Sequence, residues 1–366
     1  MRNNVKKIVL CIISLLIMTG LTGCINSNES NEPQEQLSEV LNIYNWEDFF
    51  GETTIEDFET EFGVKVNLDT YEEEEEIYSM LQSNPTKYDL IFPSGDTVQN
   101  MAYLNLLAEI NHENIPNLNN IYDEYLNMSY DPGNKYSIPY DWGTTGIIYN
   151  TKYIDEVNVS NSWDMLFNPD YEGKIANLDS SYVVVGYTLK MLGYSINSIV
   201  PNELDEVKAK LLEQKSIISG YLSSMEILDQ MISEELWIAP NYSGEVWMAL
   251  EANSNLSYFV PDEGSDMYFD AVAIPIAAPN KYTAEIFMNY ILRPDVHAAI
   301  TNYTGYANPN EAAHDAGLID EEQLDNPLVY PTADIIDKLE PWIVYEDEDD
   351  IGYQIQRINE IWASLQ

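Results

Sequence analysis

The sequence predicts an α/β fold in which helices cover a largely parallel sheet. Strand-like and helix-like segments alternate through the first third of the chain, and this order is typical of parallel strands joined by helical crossovers. Apolar residues recur with the matching periods in these segments. Residues 40–366 are also enough for a large core, and enough for two domains.

The first five elements show this alternation. The first helix-like segment places Ile55, Phe58 and Phe62 on one face. Thr53 and Glu56 have the spacing of a capping box at its start. Five consecutive glutamates open the second helix, where they suit the positive end of its dipole. In order, the elements are a strand at 41–46, a helix at 53–62, a strand at 64–68, a helix at 72–82 and a buried strand at 88–94.

The rest of the chain continues with both types of element. An apolar, β-rich run at 136–150 is interrupted by Trp142 and Gly143. Segment 203–235 is predicted to be mainly helical. Further expected elements are a helix at 183–195, a strand, turn and helix at 236–251, a strand at 267–275, one amphipathic helix at 284–300 and a solvated acidic loop at 345–350.

The N-terminus is typical of a secretion signal. A basic start, "MRNNVKK", precedes the apolar run "IVLCIISLLIMTGL", which is short for a transmembrane helix. "LTGC" follows and resembles a bacterial lipobox, which implies cleavage before Cys24 and a lipid on its sulfur. Residues 24–39 are polar and suit a flexible tether. Since Cys11 leaves with the signal, the folded part has neither disulfide nor thiol chemistry.

The charge is strongly negative, with 62 acidic and 16 basic residues and a net charge of −46. Beyond the signal segment the only arginines are Arg293 and Arg357. Because arginine is the usual partner of phosphates and carboxylates, this composition disfavours an anionic ligand and excludes nucleic acid as an expected partner. It favours cations. Solubility or a salty habitat accounts for most of the acids.

Catalytic and metal-binding patterns are missing from the sequence. The histidines, His112, His297 and His314, have no zinc-site spacing. No nucleophile elbow, phosphate-binding loop or dinucleotide fingerprint is present. We therefore expect neither an enzyme, nor a cofactor, nor a metal site. Acid pairs are too abundant to indicate a glycosidase.

Two turns are predicted to meet at one edge of the sheet. Asn45 and Trp46 end the first strand, and residues 93–96 follow the third. Ligands of open α/β sheets bind beyond the carboxyl ends of the strands. Trp46, an aromatic residue beside carboxylates, is therefore expected to form one wall of a site for a positively charged ligand.

A set of segments resembles the spermidine/putrescine-binding family of ABC-importer solute-binding proteins. They occur in the family's order and span most of residues 40 to 310. The resemblance implies two α/β lobes with a ligand cleft between them, a periplasmic-binding-protein-like fold. It also implies a signal peptide at 1–23, a tether at 24–39, an N-terminal lobe of 40–142 and 271–315, and a C-terminal lobe of 143–270 and 316–366. The segments are "YNWEDFF", "FGVKVNLDTYEEEEEIYSML", "YDLIFPSGD", "YSIPYDWGTTGIIYN", "SWDMLFNPDYEGKI", "LKMLGYSINS", "NYSGEVWMALE", "VPDEGSDMYFDAVAIP", "FMNYILRPDV" and "TGYANPN".

The same resemblance implies a set of ligand-binding residues. Asp270 matches the family's main amine-binding carboxylate, and Tyr268 stands where a tryptophan wall is usual. Two acids of the family pattern are missing, because Ser180 and Val183 occupy their positions; Asp179 is one residue away. The implied ligand-binding residues are Trp46, Phe49, Ser94, Asp96, Tyr242, Tyr268 and Asp270.

These observations lead us to expect a monomeric, lipid-anchored, extracytoplasmic protein that delivers a polyamine, putrescine or spermidine, to an ABC importer permease. Three alternatives stay open at this point. The same fold could carry another small cation or ferric iron, since tyrosine and carboxylate oxygens suit iron. A surface glycosidase could use Asp270 and Asp96 as acid and base, and a scaffold or adhesin could have lost ligand binding.

Overall fold

The computed structural model describes residues 36–71, 74–342 and 348–366. The predicted signal segment, Cys24 and nearly all of the predicted tether lie outside them. Among the described residues, no helix is both long and apolar enough to cross a lipid bilayer.

Ten strands and thirteen α-helices form the described part of the chain. The strands are β1 (Val40–Trp46), β2 (Lys65–Tyr71), β3 (Leu90–Ile91), β4 (Ser137–Asn150), β5 (Ile175–Leu178), β6 (Ile218–Leu222), β7 (Ile238–Tyr242), β8 (Leu256–Phe259), β9 (Asp266–Ala273) and β10 (Glu340–Pro341). The helices are α1 (Thr54–Phe62), α2 (Glu75–Ser83), α3 (Gly95–Tyr103), α4 (Ser181–Met191), α5 (Pro201–Gln214), α6 (Ser224–Ile232), α7 (Ser243–Ala252), α8 (Lys281–Ile291), α9 (Pro294–Thr304), α10 (Glu311–Asp315), α11 (Glu321–Leu324), α12 (Ala333–Ile336) and α13 (Glu348–Leu365).

The strands follow the order β2-β1-β3-β9-β4-β7-β5-β6, with β10 beside β9 and β8 beside β4. We call β1, β2, β3, β9 and β10, with the first half of β4, the first sheet. The second sheet contains the second half of β4 with β5 to β8. The α/β prediction is confirmed, but the sheet is mixed: β1, β2 and β3 are parallel, as are β5, β6 and β7. β4 runs antiparallel to its neighbours, and β9 runs antiparallel to β3 and β4 but parallel to β10.

β4 connects the two sheets. Its residues 137–144 pair with β9, and residues 145–150 pair with β7 and β8. All fourteen of its residues are buried, as expected for a strand covered on both faces. The run at 136–150 that the sequence showed as interrupted by Trp142 and Gly143 is therefore one strand from Ser137 to Asn150.

Three core clusters match this arrangement. Neighbouring residues of β1 point to opposite faces of the first sheet, so Ile43 packs into one cluster with Phe58 and Phe287, and Tyr44 into another with Met101. The second sheet has its own core, which includes Ile238 and Val184. The lobe boundaries proposed from the sequence remain a prediction.

Four local predictions need correction. Thr53 makes no capping bond to the backbone of α1; its hydroxyl donates to the Asp57 carboxylate at 2.7 Å instead. The single helix expected at 284–300 is two helices, because Pro294 cannot continue α8 and begins α9. Segment 203–235 is mainly helical as predicted, but strand β6 divides it into two helices. Glu348 to Asp350 begin α13 rather than a loop.

Two helices end in the same way but in different surroundings. Gly63 ends α1 with φ +67°, and Gly305 ends α9 with φ +78°. A Cβ at Gly63 would meet no atom within 4 Å, whereas at Gly305 it would lie 2.5 Å from Cγ of Trp247. The second position therefore combines left-handed backbone with close packing.

We predict that Gly305→Ala lowers the free energy of unfolding by about 2–4 kcal/mol, because it adds overpacking to the cost of a left-handed alanine. The matched variant Gly63→Ala should lose only about 1 kcal/mol. Urea unfolding of both variants measures the difference. Equal losses would show that Trp247 moves aside freely.

Candidate functional site

Five carboxyl groups gather where the ends of both sheets meet. Ser94 and Asp96 follow β3, Asp270 lies in β9, Asp141 in β4, and Glu245 in the first turn of α7. Glu74 precedes α2. We call Glu74, Asp96, Asp141, Glu245 and Asp270 the carboxylate cluster. The two strand ends expected to meet, at Trp46 and Ser94, are indeed adjacent, since β1 and β3 pair in parallel.

Ser94 organises one half of the cluster. Its backbone N–H donates to Glu74 Oε1 at 2.5 Å, and its hydroxyl lies 2.9 Å from both Glu74 Oε2 and Asp96 Oδ1. The hydroxyl of Thr97 donates to Glu74 Oε2 at 2.5 Å. Glu74 is thus tied to the start of α3, and it faces Asp96 across one serine.

The pKa values of this half are raised. Loss of solvation, with the nearby charge of Asp96, raises the pKa of Glu74 to about 8, although hydrogen bonds from Thr97 and Ser94 oppose the shift. Asp96 stays exposed to solvent. The protein crowded around it raises its pKa by desolvation, against the hydrogen bond from Ser94.

The other half is a buried pair on adjacent strands. Asp141 and Asp270 are register partners in β4 and β9, and they are 3% and 8% exposed. Residue partners of this kind point to the same face of a sheet. Ser94 pairs with Asp270 from the other side, so Ser94, Asp270 and Asp141 lie in one row across three neighbouring segments.

Burial is also the main cause of the raised pKa values of this pair. Desolvation raises the pKa of Asp270 to about 7, while a hydrogen bond with Asp141 works in the opposite direction. The pKa of Asp141 lies well above its usual range, through desolvation and then the charge of Asp270. Desolvation likewise raises the pKa of Glu245 to about 7.

No ion pair among the described residues involves any member of the cluster. The described residues also contain no group of three or more His, Cys, Asp or Glu side chains arranged to hold a metal ion. Burying carboxylates that have no positive partner costs free energy. A cation that binds from outside the protein would compensate their charges.

Aromatic side chains surround the carboxylates. Tyr242, at the end of β7, packs edge-on against Tyr268 with ring centres 5.6 Å apart. Tyr268 crosses directly over Gly143, where any Cβ would collide with its phenol ring. Desolvation raises the pKa of its buried hydroxyl, and a hydrogen bond with Ser243 opposes the shift. Tyr182, from the start of α4, faces Asp96.

Trp46 is partly exposed and lies one ring away from the carboxylates. Its ring centre is 4.4 Å from that of Tyr71, whose hydroxyl is held by the Phe92 carbonyl at 2.6 Å. Tyr71 in turn lies near Glu74 and Asp270, whose charges raise its pKa further after desolvation. Trp46 is thus placed at the margin of the site.

Phe49 is less accessible than the other expected residues. It is 5% exposed and packs against Tyr140 and Tyr306, with ring centres 5.3 and 5.1 Å away. Tyr306 itself lies close to Glu245, Asp141 and Asp270, and desolvation followed by their charges raises its pKa. Phe49 therefore packs against the ring of Tyr306 rather than facing the carboxylates.

The two positions that lack the family's acids differ in environment. Ser180 precedes α4 and its hydroxyl bonds to Tyr242. Val183 is 8% exposed and belongs to the core of the second sheet. Asp179 is exposed. Hence a carboxylate at Val183 would replace core packing, and the acids of this chain lie elsewhere.

Sequence reasoning missed Glu74, Asp141, Glu245 and Tyr306. Asp141 had a signal in the sequence, because it is the one acid inside the β-rich run that forms β4. Glu245 follows the end of β7, a position comparable to that of Asp96. Glu74 gave no separate signal within its run of five glutamates.

Two surface recesses lie elsewhere. One, of about 500 Å³, includes Asp164 and Lys210 in its walls, and the other, of about 450 Å³, includes Trp247 and Glu251. Neither is lined by a residue of the carboxylate cluster. Their shape alone suggests no chemistry.

We predict that the ligand-free protein loses stability as the pH rises from 6.5 to 8.5. Acids with raised pKa values bind more protons in the folded than in the unfolded state, so stability falls as they ionise. The window avoids His297, whose pKa, lowered to about 4 by burial, has the opposite effect at lower pH.

Urea unfolding at constant ionic strength measures this loss. Asp270→Asn should reduce the slope and raise stability at pH 8.5 by about 1–3 kcal/mol, while Glu47→Gln, at an exposed position, should change neither. A flat profile for the unmodified protein would contradict the raised pKa values.

Comparison with known proteins identifies the family of this chain. Residues 53–327 match the family described as bacterial extracellular solute-binding protein. The putrescine-binding periplasmic protein PotF of Escherichia coli K12 is 32% identical over 317 residues, which are 82% of this chain and 85% of that protein. The spermidine/putrescine-binding periplasmic protein of the same organism is 32% identical over 298 residues, covering 81% and 84%.

Solved structures show the same similarity. The spermidine/putrescine ABC transporter substrate-binding protein PotD of Streptococcus pneumoniae is 33% identical, with a TM-score of 0.79, and the match covers 90% of this chain and all of that one. These relatives are substrate-binding transport proteins, not enzymes, and their fold is two-lobed. The chain therefore belongs to the bacterial extracellular solute-binding proteins, in the family that includes the spermidine/putrescine-binding periplasmic proteins.

Proposed function

We propose that this chain captures a polyamine, with putrescine and spermidine as the first candidates, between the ends of its two sheets and delivers it to an ABC importer. The observation that carries this proposal is the carboxylate cluster without a cation of its own. A polyamine supplies several ammonium groups joined by apolar methylenes. Carboxylates compensate the charges, and aromatic rings contact both the charges and the chain between them.

The arrangement suits a ligand with at least two charged ends. Asp141 and Asp270 form one acidic centre, and Glu74 with Asp96 form a second on the other side of Ser94. Tyr242 and Tyr268 stand beside the first centre, whereas Tyr182 faces Asp96 at the second. We assign direct ligand contact to Ser94, Asp96, Tyr242, Tyr268 and Asp270, and a wall at the margin to Trp46. Phe49 keeps a supporting role.

The names of the relatives agree with this ligand class, since they bind putrescine or spermidine. The relatives give no support to the glycosidase alternative, because they are transport components. A ferric carrier would need its ligands from this same cluster, and it makes a distinct prediction for the binding experiment.

We predict that putrescine or spermidine raises the melting temperature of the domain from residue 36 onward. A ligand at about 100 times its dissociation constant adds about 2.7 kcal/mol to the free energy of unfolding. Asp270→Asn should weaken binding by about a hundredfold, because an ammonium loses a buried counter-ion. Trp46→Ala should weaken it by up to about thirtyfold through a lost cation–π contact.

Differential scanning fluorimetry against putrescine, spermidine and Fe³⁺ measures these effects. Glu47→Gln is the control, since Glu47 is exposed next to Trp46. A shift with Fe³⁺ and none with either polyamine would favour the ferric alternative. No shift with any of them would leave only the fold assignment.

Attachment to the membrane is a separate part of the proposal. It rests on the order of basic, apolar and small residues before Cys24. We predict that the full chain carries a lipid on Cys24 and sediments with membranes, and that Cys24→Ser releases it to the soluble fraction. Mass spectrometry of the N-terminal peptide checks the lipid directly. An unmodified Cys24 would contradict the anchor without affecting ligand binding.

A further inference from the structure

Asp141 occupies an unusual place for an acidic side chain. It lies in the middle of a strand whose residues are all buried, and only 3% of its surface is exposed. Its Oδ1 atom is buried and receives no hydrogen bond from any described residue. A carboxylate in such a place is costly unless a proton or an external cation accompanies it.

Among the described residues, no lysine or arginine forms an ion pair with Asp141. Its register partner Asp270 is near enough for a hydrogen bond between the two carboxyl groups. Such a bond requires that one of the two carries a proton. Asp96 from α3 and Glu245 from α7 add negative charge near Asp270. The other titratable groups that face the pair are the phenols of Tyr71, Tyr130, Tyr140, Tyr268 and Tyr306.

Two buried carboxyl groups side by side cannot both ionise without compensation, so they titrate as a pair and retain one proton over a wide pH range. The raised pKa values of both acids agree with this behaviour. Glu74 and Asp96 do not form a directly bonded pair of this kind, because a serine hydroxyl stands between them and Asp96 is exposed to solvent.

We propose that Asp141 and Asp270 share one proton in the empty site, and that an ammonium group of the ligand displaces this proton, so that both carboxylates become its counter-ions. The inference rests on the proposed function and adds Asp141 to the ligand-binding residues. The empty pair carries one negative charge. On binding, the shared O–H bond breaks, the proton leaves to solvent, and the pair gains a second negative charge that the ammonium compensates.

Proton release makes capture depend on pH. Since the proton and the ammonium compete for the same oxygens, affinity rises by up to about tenfold per pH unit below the pKa of the pair and levels off above it. A monoamine or a polyamine would show this effect at the Asp141–Asp270 centre. The number of released protons identifies it independently of the affinity.

Isothermal titration of the protein with putrescine and with spermidine, at pH 6.5 in phosphate and in ACES buffer, counts the protons. We expect the pair to release about half to one proton per ligand, and less at pH 8.5, with Glu74, whose pKa is about 8, as a second source of protons. Asp141→Asn keeps the shape but cannot ionise, so release should fall by the proton of the pair and the pH dependence of the affinity should weaken. Asp48→Asn is the matched control, because Asp48 is exposed and has φ +53°, a conformation that asparagine also adopts.

The outcomes separate the two proposals. Binding with no buffer-dependent heat and equal affinity at pH 6 and 8 overturns the shared proton and leaves the proposed function standing. Undiminished proton release in Asp141→Asn overturns the assignment to Asp141. The proton count of the unmodified protein decides the first point even if that variant fails to fold. No binding of either polyamine at any pH overturns the proposed function, and the inference with it.

Discussion

The central constraint on this protein is the set of buried or crowded carboxyl groups that no lysine or arginine of the described residues neutralises. These groups lower the stability of the protein most when no ligand is bound. In that state Asp141 and Asp270 hold a proton, and Glu74 depends on hydrogen bonds from Ser94 and Thr97. Hydrophobic cores on both faces of the first sheet and in the second hold these groups in place against their repulsion. Such a site is organised before any ligand arrives, and this preorganisation favours affinity.

The aromatic residues complement this electrostatic constraint. Tyrosine rings next to carboxylates exclude water, which strengthens the attraction between a carboxylate and a bound cation. Their hydroxyls also provide polar groups for a ligand, and that of Tyr268 is buried next to Ser243. Tyr306 and Phe49 pack against each other behind these rings. The walls of the site therefore contact the protein interior rather than solvent on their far side.

The sequence was informative where function and periodicity coincide. Trp46 and Ser94 could be placed at one sheet edge because parallel strands end together, and Asp270 followed from the family resemblance. The row formed by Ser94, Asp270 and Asp141 could not be predicted, since it depends on the antiparallel register of β9 against β4 and on a bulge near Pro139. Register is a property of long-range pairing, and it has no local signal in a buried strand. Glu74 was hidden for a different reason: all five glutamates of its run fit a helix start equally well.

β4 belongs to both sheets, and it carries Asp141 close to the place where its pairing changes from β9 to β7. A charge that is neutralised there acts on a strand that both sheets share. A cation bound at Asp141 would therefore change the environment of a strand on which the pairing of both sheets depends.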